Sequence, residues 1–487
     1  MSVSNYKKPN IKTNFSSTPT WLYLIVVVAL YVFGAYAFYD FIVKPENASI
    51  LAEMSEALKV LVPISLDFLP LLIAFILTFL VVTVILAFVI LWIMSKVAKQ
   101  VTIFVSVLFP VLMMVVGVLM IGGGIIMPGD EQLDASMMGM FIAGFGFLLL
   151  AFVIWKFRVI ERSGKFVEFS AQLVLDEKAV LAMPLLLGIY SIITGFFMLF
   201  GFLKIYSLFE VTNALGETEL SYPGLIMAII FEYFYLIVYL GVYYSLSAGV
   251  ISYASDWYRG LDPDLGSAMK DVRQVFPIIL KFAFAMATVK IIMQIFTGAA
   301  RGQTTRTGGR NAGAAIGGLI FAAIASLLIS IIGAIWMFLN YFTLVSIVQN
   351  KKGLGDSIKD SAKTTWGALV DVLVGETGFG LTTFIFAVVN SLLWIGIGFS
   401  LGFAVTQELT YGIVFAVIFV FLGTLPYNVV TMPMKVAFRT FIYSYAKDSV
   451  EGFKKPSRLP AELRNEFKTL SRKDVKKRGM RDPSEYF

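Results

Sequence analysis

The side chains best suited to chemistry in this chain are ionisable residues that stand inside long apolar runs. Glu232 lies among aromatic residues in the run 223–250, and Lys290 lies in the next run, 276–297. A charge inside a membrane span is costly, and it marks either a functional site or a structural ion pair. We therefore expect Glu232 and Lys290 to pair between adjacent helices, as a structural contact or as part of a transport site.

Two further carboxylates, Asp371 and Glu376, stand where the run 377–405 begins, and three glycines fall between residues 375 and 380. Glycine weakens a helix interior. The entry is therefore expected either to bend from an interfacial helix into a span or to form the broken helix of a transporter. The candidate intramembrane polar site consists of Glu232, Lys290, Asp371 and Glu376.

Long apolar runs must position these residues. The chain is 58% hydrophobic and has a mean hydropathy of +0.82. A run of about 18 or more apolar residues can cross the hydrocarbon core as a helix, and backbone groups shielded from water must bond internally. The sequence therefore predicts an all-α polytopic transmembrane helical bundle of about ten spans, at 20–43, 62–94, 101–127, 135–155, 179–204, 223–250, 276–297, 314–347, 377–405 and 411–432.

Basic residues orient the predicted spans. Most of the 39 Lys and Arg residues fall in every second connection and in the segment after residue 434, and such residues accumulate on the cytoplasmic side of a membrane. This predicts a multi-pass membrane protein with both termini in the cytoplasm. The predicted organisation is a four-span module over 1–160, a six-span repeat-containing domain over 161–450 and a basic tail over 451–487.

Three polar segments between the spans, 164–178, 254–275 and 351–374, are predicted to be amphipathic interfacial helices, and we call them the elbows. Residues 265–271 (LGSAMKD) match residues 354–360 (LGDSIKD) without a gap. Either a true repeat of span–elbow–span units or the shared chemistry of basic elbows explains the match. Because lysine stems snorkel, contacts with lipid head groups are predicted for Lys165, Lys270, Lys359 and Lys363.

The chain contains no His and no Cys. This excludes histidine general bases, thiol nucleophiles, disulfides and metal or haem sites built on those residues. No catalytic residue, cofactor or metal is predicted. The net charge of +7 is spread over membrane-proximal segments, so nucleic acid is not an expected partner.

Several short motifs in the second part of the chain carry a family resemblance. They are residues 178–184, 231–234 with Tyr243 and Tyr244, 363–367 and 437–446. Over residues 164–453 the chain resembles a family of uncharacterised prokaryotic integral membrane proteins, which is loosely similar to the membrane domain found beside some glycerophosphodiester phosphodiesterases. The resemblance implies a helical membrane architecture and a prokaryotic cell membrane, and the family brings no established activity.

Two functions from different classes fit these features. The first is a non-enzymatic integral membrane protein with a structural, lipid-organising or complex-assembly role. The alternative is a transporter or lipid-handling protein with a site between spans six, seven and nine. The expected partners are membrane lipids, anionic ones included, and other membrane proteins.

Overall fold

The computed structural model describes residues 15–44, 69–124, 130–212, 218–306, 327–450 and 457–458. They are overwhelmingly helical, which confirms the predicted all-α class. The helices are α1 (Thr18–Val43), α2 (Leu69–Gly124), α3 (Asp130–Trp155), α4 (Phe157–Asp176), α5 (Ala182–Phe209), α6 (Tyr222–Tyr258), α7 (Leu265–Arg306), α8 (327–339), α9 (Thr343–Asn350), α10 (Leu354–Gly367), α11 (Leu369–Thr406) and α12 (Leu409–Val450). A 3-10 turn, Lys178–Leu181, precedes α5, and an antiparallel pair, β1 (Glu210–Thr212) with β2 (Thr218–Leu220), joins α5 to α6.

Nine helical segments in the described ranges are long and apolar enough to cross a membrane. Their outward faces carry exposed large apolar side chains, such as Ile192, Phe384 and Phe421. Contiguous apolar surface on this scale is suited to contact with lipid rather than with water. The chain is therefore a multi-pass helical membrane protein.

Predicted spans two and three form one helix, α2, instead of two. The polar stretch 95–100, which holds Lys96 and Lys99, contains no Gly or Pro, so its residues continue the helix at little cost. The 56 residues of α2 make a helix about 84 Å long at 1.5 Å per residue. This merger reduces the ten predicted spans to nine in the part of the chain that the structure describes.

The elbows take three different forms. The first belongs to α4, whose apolar residues Phe166, Phe169 and Leu173 are buried in the main core, so this face lies against protein and not against lipid. The second is no helix of its own: Gly260, with a positive φ of 76°, lies in the loop between α6 and α7. Asp264 then caps the next helix by accepting a hydrogen bond from a backbone N–H. The third elbow contains α10 and the first turns of α11.

The main hydrophobic core lies at the end of the bundle that holds the elbows, which we call the elbow end. Phe169 of α4 packs against Trp257 of α6 and Phe441 of α12, with ring centroids 4.7 and 4.9 Å apart. Each such aromatic pair contributes about 0.5–1.5 kcal/mol beyond its buried area. The ends of α6 and α12 are therefore fixed against α4.

The first helix packs against the C-terminal part of the chain. The Tyr23 hydroxyl of α1 donates to the backbone oxygen of Val238 at 2.8 Å, and Asp40 pairs with Lys204 at 2.7 Å. Both partners lie beyond residue 160, although the sequence places α1 in the module 1–160. The proposed module boundary stays a prediction.

The two matched elbow segments make the same hydrogen bond at their last residue. The Ser252 hydroxyl donates to Oδ2 of Asp271 at 2.7 Å, and the Ser346 hydroxyl donates to Oδ2 of Asp360 at 2.8 Å. In each case the serine belongs to the helix before the elbow. The repeated sequence thus accompanies a repeated contact.

Each of these aspartates also pairs with a lysine from a later helix end. Lys351 lies 3.0 Å from Oδ1 of Asp271, and Lys447 lies 2.6 Å from Oδ1 of Asp360. Lys351, the residue after α9, has a left-handed φ of 50°. Each elbow carboxylate therefore joins its own unit to the next one.

Three helices of the repeat region also meet directly at the elbow end. The Gln349 side-chain amide of α9 donates to the hydroxyls of Ser255 in α6 and Ser444 in α12, at 2.8 and 2.9 Å. Arg259 forms a bidentate pair with Asp448, at 2.6 and 2.8 Å. These contacts hold α6, α9 and α12 together at the elbow end.

Candidate functional site

A cavity of about 450 Å³ lies between α6, α11 and α12. Its lining combines apolar side chains, among them Phe379 and Phe384, with the hydroxyl groups of Thr383 and Thr431. Three charged residues complete the wall. The cavity therefore offers both an apolar surface and a cluster of charges.

The charges of this wall gather around one carboxylate, Glu376. Arg439 donates to both oxygens of Glu376, through Nη2 to Oε1 and through Nε to Oε2 at 3.4 Å. The Tyr341 hydroxyl donates to Oε2 at 2.7 Å, and Lys435 lies 3.6 Å from Oε1. The guanidinium also stacks over the Tyr341 ring, 4.8 Å from its centroid.

Two helices bring the cluster together. Span ten, predicted to end at residue 432, continues in α12 to Val450. Lys435 and Arg439 therefore stand on this helix, beyond the predicted end of the span. They stand four residues apart on one helical face, which is turned towards Glu376 on α11. The Tyr427 hydroxyl of α12 donates to the backbone oxygen of Thr383 at 2.5 Å and fixes the two helices next to the cavity.

The glycines at the start of α11 do not break the helix, which runs unbroken from Leu369. Two of the three permit close packing instead. A methyl group at Gly375 would lie 3.1 Å from the Phe438 ring, and one at Gly378 would lie 2.9 Å from a methyl of Thr102. The predicted bend falls earlier, between α10 and α11, so Glu376 stands on a regular helix.

The expected Glu232–Lys290 ion pair is not formed. Glu232 instead accepts a hydrogen bond from the side-chain amide of Gln294 at 3.0 Å. Gln294 lies one turn beyond Lys290 on α7. Lys290 lines a separate cavity of about 570 Å³. Neither Glu232 nor Lys290 lines the cavity that holds Glu376.

Asp371 lies in α11, but its side chain is outside the described part of the structure. Three of the four predicted head-group lysines are exposed, and Lys165 is half-buried on α4. Contact of these lysines with lipid stays a prediction. The exposed ones are Lys270, Lys359 and Lys363.

A smaller cavity of about 230 Å³ lies on the other side of Arg439. It is lined by Tyr244 and Ser247 of α6, Met286 of α7 and Tyr341. The Ser247 hydroxyl is buried and has no hydrogen-bond partner among the described residues. Arg439 therefore lines both cavities.

Asp360 forms a second polar cluster, at the elbow end. Its carboxylate accepts hydrogen bonds from Ser346, Tyr443 and Lys447. Burial acts to raise the pKa of Asp360, but these three donors outweigh it and hold the pKa below its usual value. The cluster joins α9, α10 and α12 and is best read as structural.

The sequence pointed to Glu376 and missed its partners. Arg439 carried a signal, because it stands between the apolar residues Phe438 and Phe441 in a chain that places most of its basic residues in polar segments. Tyr341 carried none, since a tyrosine in an apolar run is ordinary. The sequence does not show which residues of other helices contact Glu376, since these contacts depend on how the helices pack.

The site contains cations, one carboxylate and hydroxyl groups. Within the described ranges no group of three or more Asp or Glu residues could hold a metal ion. No family model matches the chain, and no curated protein matches it. The resemblance to a prokaryotic membrane protein family stays a prediction, and function must be argued from the site.

Proposed function

We propose that this protein is a lipid-handling membrane protein that binds the head group of an anionic lipid beside Glu376, Arg439 and Lys435. The observation that carries the proposal is the charge balance of the cavity. Two cations face one carboxylate, so the cluster bears one positive charge in excess. An anion would compensate this excess.

The two cations differ in what they can offer a ligand. Arg439 is held by its hydrogen bonds to Glu376 and by stacking on the Tyr341 ring, so its guanidinium has a fixed orientation. Lys435 is 50% exposed and lies at the longer distance of 3.6 Å. It can therefore turn to an incoming phosphate while Arg439 presents its remaining N–H groups.

The rest of the cavity suits acyl chains. Phe384 lines the cavity and is also exposed on the outer, apolar surface of the bundle. Phe379, Ala387 and Met432 continue the apolar wall. A lipid can thus keep its chains against the apolar surface while its head group reaches the charges, without crossing the protein.

The experiment that tests the proposal is native mass spectrometry of the purified full-length protein with phosphatidylglycerol or phosphatidylcholine. We expect tighter binding of phosphatidylglycerol. Lys435→Gln should reduce that affinity about fivefold, since one basic residue near a lipid surface contributes about 1 kcal/mol.

The matched control is Lys352→Gln, which removes an exposed lysine outside the cavity. Its affinity for phosphatidylglycerol should equal that of the unaltered protein. Equal affinities for the two lipids, or an equal loss in both variants, would contradict the proposal.

A further inference from the structure

Lys290 lies inside an apolar span, and no described residue supplies it with a counter-ion. It belongs to the segment Leu265–Thr297, which is apolar enough to cross a membrane. It makes no ion pair or hydrogen bond with the residues that the structure describes. The counter-ion expected from the sequence, Glu232, accepts a hydrogen bond from Gln294 instead. A lone ammonium group at this depth is costly, and such residues mark ligand or ion sites.

The sequence after this span adds no negative charge. Residues 298–326, which comprise the last residues of α7 and the segment before α8, contain three arginines and no Asp or Glu. Any charge that this segment brings near Lys290 is therefore positive. The counter-ion must come from elsewhere on the protein or from a ligand.

The cavity at Lys290 has the size and lining of a site for an aliphatic chain. Its volume of about 570 Å³ falls within the range of about 300–1,000 Å³ typical of small-molecule pockets. Met286, Met293, Met337 and Leu240 form much of its wall. Flexible methionine side chains adapt to aliphatic chains of different shape.

From this geometry we infer that the Lys290 cavity binds a single-chain amphiphile with a terminal carboxylate, that is, a long-chain fatty acid. The ammonium group pairs with the carboxylate, and the aliphatic chain lies along the methionines. A carboxylate fits better than a phosphate, because none of the described residues that line this cavity is an arginine and phosphate favours the forked donors of arginine. This site is independent of the Glu376 site, since the two cavities share no lining residue.

Trp336 provides a probe within the site. Its indole lines the cavity and donates to the sulfur of Met286 at 3.2 Å. Bromine atoms on a bound chain quench tryptophan fluorescence only at short range. We would titrate the full-length protein, held in phosphatidylcholine nanodiscs, with brominated stearate and with its methyl ester.

We expect saturable quenching by brominated stearate, and Trp336→Phe should remove the saturable part. Lys290→Met should raise the half-saturation concentration at least about tenfold. Lys281→Met, which removes another exposed lysine of α7 that does not line the cavity, should leave it unchanged. Lys290→Arg, which keeps the charge, should still bind and shows that the fold tolerates change there.

Three results would overturn the inference. The first is saturation by the methyl ester at the same concentration as by the acid. The second is unaltered binding in the Lys290→Met variant. The third is stronger saturable quenching by a brominated lysophosphatidate than by brominated stearate. That result would mean that the site prefers a phosphate to a carboxylate. The phosphatidylglycerol test at Glu376 is unaffected by any of these, so the two proposals fail separately.

Discussion

Arg439 is the residue that joins the other groups of the candidate site. Its guanidinium holds Glu376, stacks on Tyr341 and lines both the 450 Å³ and the 230 Å³ cavities. Arginine suits this position because its planar fork can bind a carboxylate on one edge and keep donors for a second anion. The site is thus held in shape before any ligand arrives.

Replacing the Glu376 carboxylate separates its contribution to stability from its effect on lipid binding. Glu376→Gln removes the counter-ion of two cations, and we expect a loss of stability of about 1–3 kcal/mol. This is less than the roughly 3–5 kcal/mol of a fully buried pair, because the two side chains of the Glu376–Arg439 pair are 30% and 34% exposed. Affinity for phosphatidylglycerol should rise, because the excess positive charge of the cluster increases from one to two. Thermal unfolding and lipid titration measure the two effects.

The matched control is Glu210→Gln, at an exposed position at the start of β1. It should change neither the melting temperature nor the lipid affinity. A Glu376→Gln variant that lost both stability and phosphatidylglycerol binding would show that the cluster is only structural.

The Asp360 cluster gives a pH dependence with a defined sign. Because the folded-state pKa of Asp360 is lowered, its contribution to stability is fully present above the unfolded value of about 3.9 and is lost as the pH falls through the lower, folded value. The stability advantage of the unaltered protein over Asp360→Asn should be constant between about pH 7 and 5 and should shrink below about pH 4.

Denaturant titration across this pH range measures the difference. Asp356→Asn, at an exposed position of the same helix, serves as control and should show a small and nearly constant difference. An Asp360→Asn difference that grew as the pH fell would contradict the assignment.

At the scale of elements, close packing of helices depends on single glycines. Gly398 lies where α11 crosses α12, and a methyl group there would stand 2.7 Å from the backbone oxygen of Phe415. Gly396, two residues earlier on α11, has no such neighbour within 4 Å. Gly398 and Gly402, four residues apart on α11, fit the small-residue pattern of closely packed membrane helices.

These two glycines give a matched pair of substitutions. Gly398→Ala should lower the melting temperature, because backbone atoms cannot move aside without separating the helices. Gly396→Ala should leave it unchanged or raise it, since alanine favours the helix over glycine by up to about 1 kcal/mol. Equal effects of the two substitutions on thermal unfolding would contradict the observed crossing.

Much of the element pattern could be predicted, because long apolar runs are a strong signal of membrane helices. The misplaced ends have a common cause. Lys96 and Lys99 on α2, and Lys435 and Arg439 on α12, stand on helices that continue through polar residues. Charge predicts where a chain leaves the bilayer, but a helix ends only where its backbone geometry is interrupted.

At the scale of the whole molecule, the elbow end is the region where helices distant in sequence are joined. Gln349 joins Ser255 to Ser444 there, and Asp271 and Asp360 make matching contacts in the two repeated segments. The cavities lie between helices that also contribute to this end of the bundle. The match between residues 265–271 and 354–360 could be read from the sequence. The meeting of α6, α9 and α12 could not, since it depends on contacts distant along the chain.

The cytoplasmic placement of the elbow end is a prediction from charge. The chain has no cysteine, so single cysteines can be introduced without removing others. We expect a membrane-impermeant thiol reagent to label Glu408→Cys, in the turn between α11 and α12, in intact cells. Lys352→Cys, at the elbow end, should react only after lysis.

Both positions are exposed in the folded protein, so the reagent has equal access once the membrane is opened. Labelling of Lys352→Cys alone in intact cells would reverse the predicted orientation. It would also place the elbow end outside the cell.

The most direct test of the central claim is a density map of the full-length protein in nanodiscs that contain phosphatidylglycerol. We predict density for a lipid in the cavity between α6, α11 and α12, with its phosphate beside Lys435 and Arg439. That density should be lost in Lys435→Gln and kept in Lys352→Gln. An empty cavity in the unaltered protein, or a lipid whose phosphate lies away from these two residues, would contradict the account.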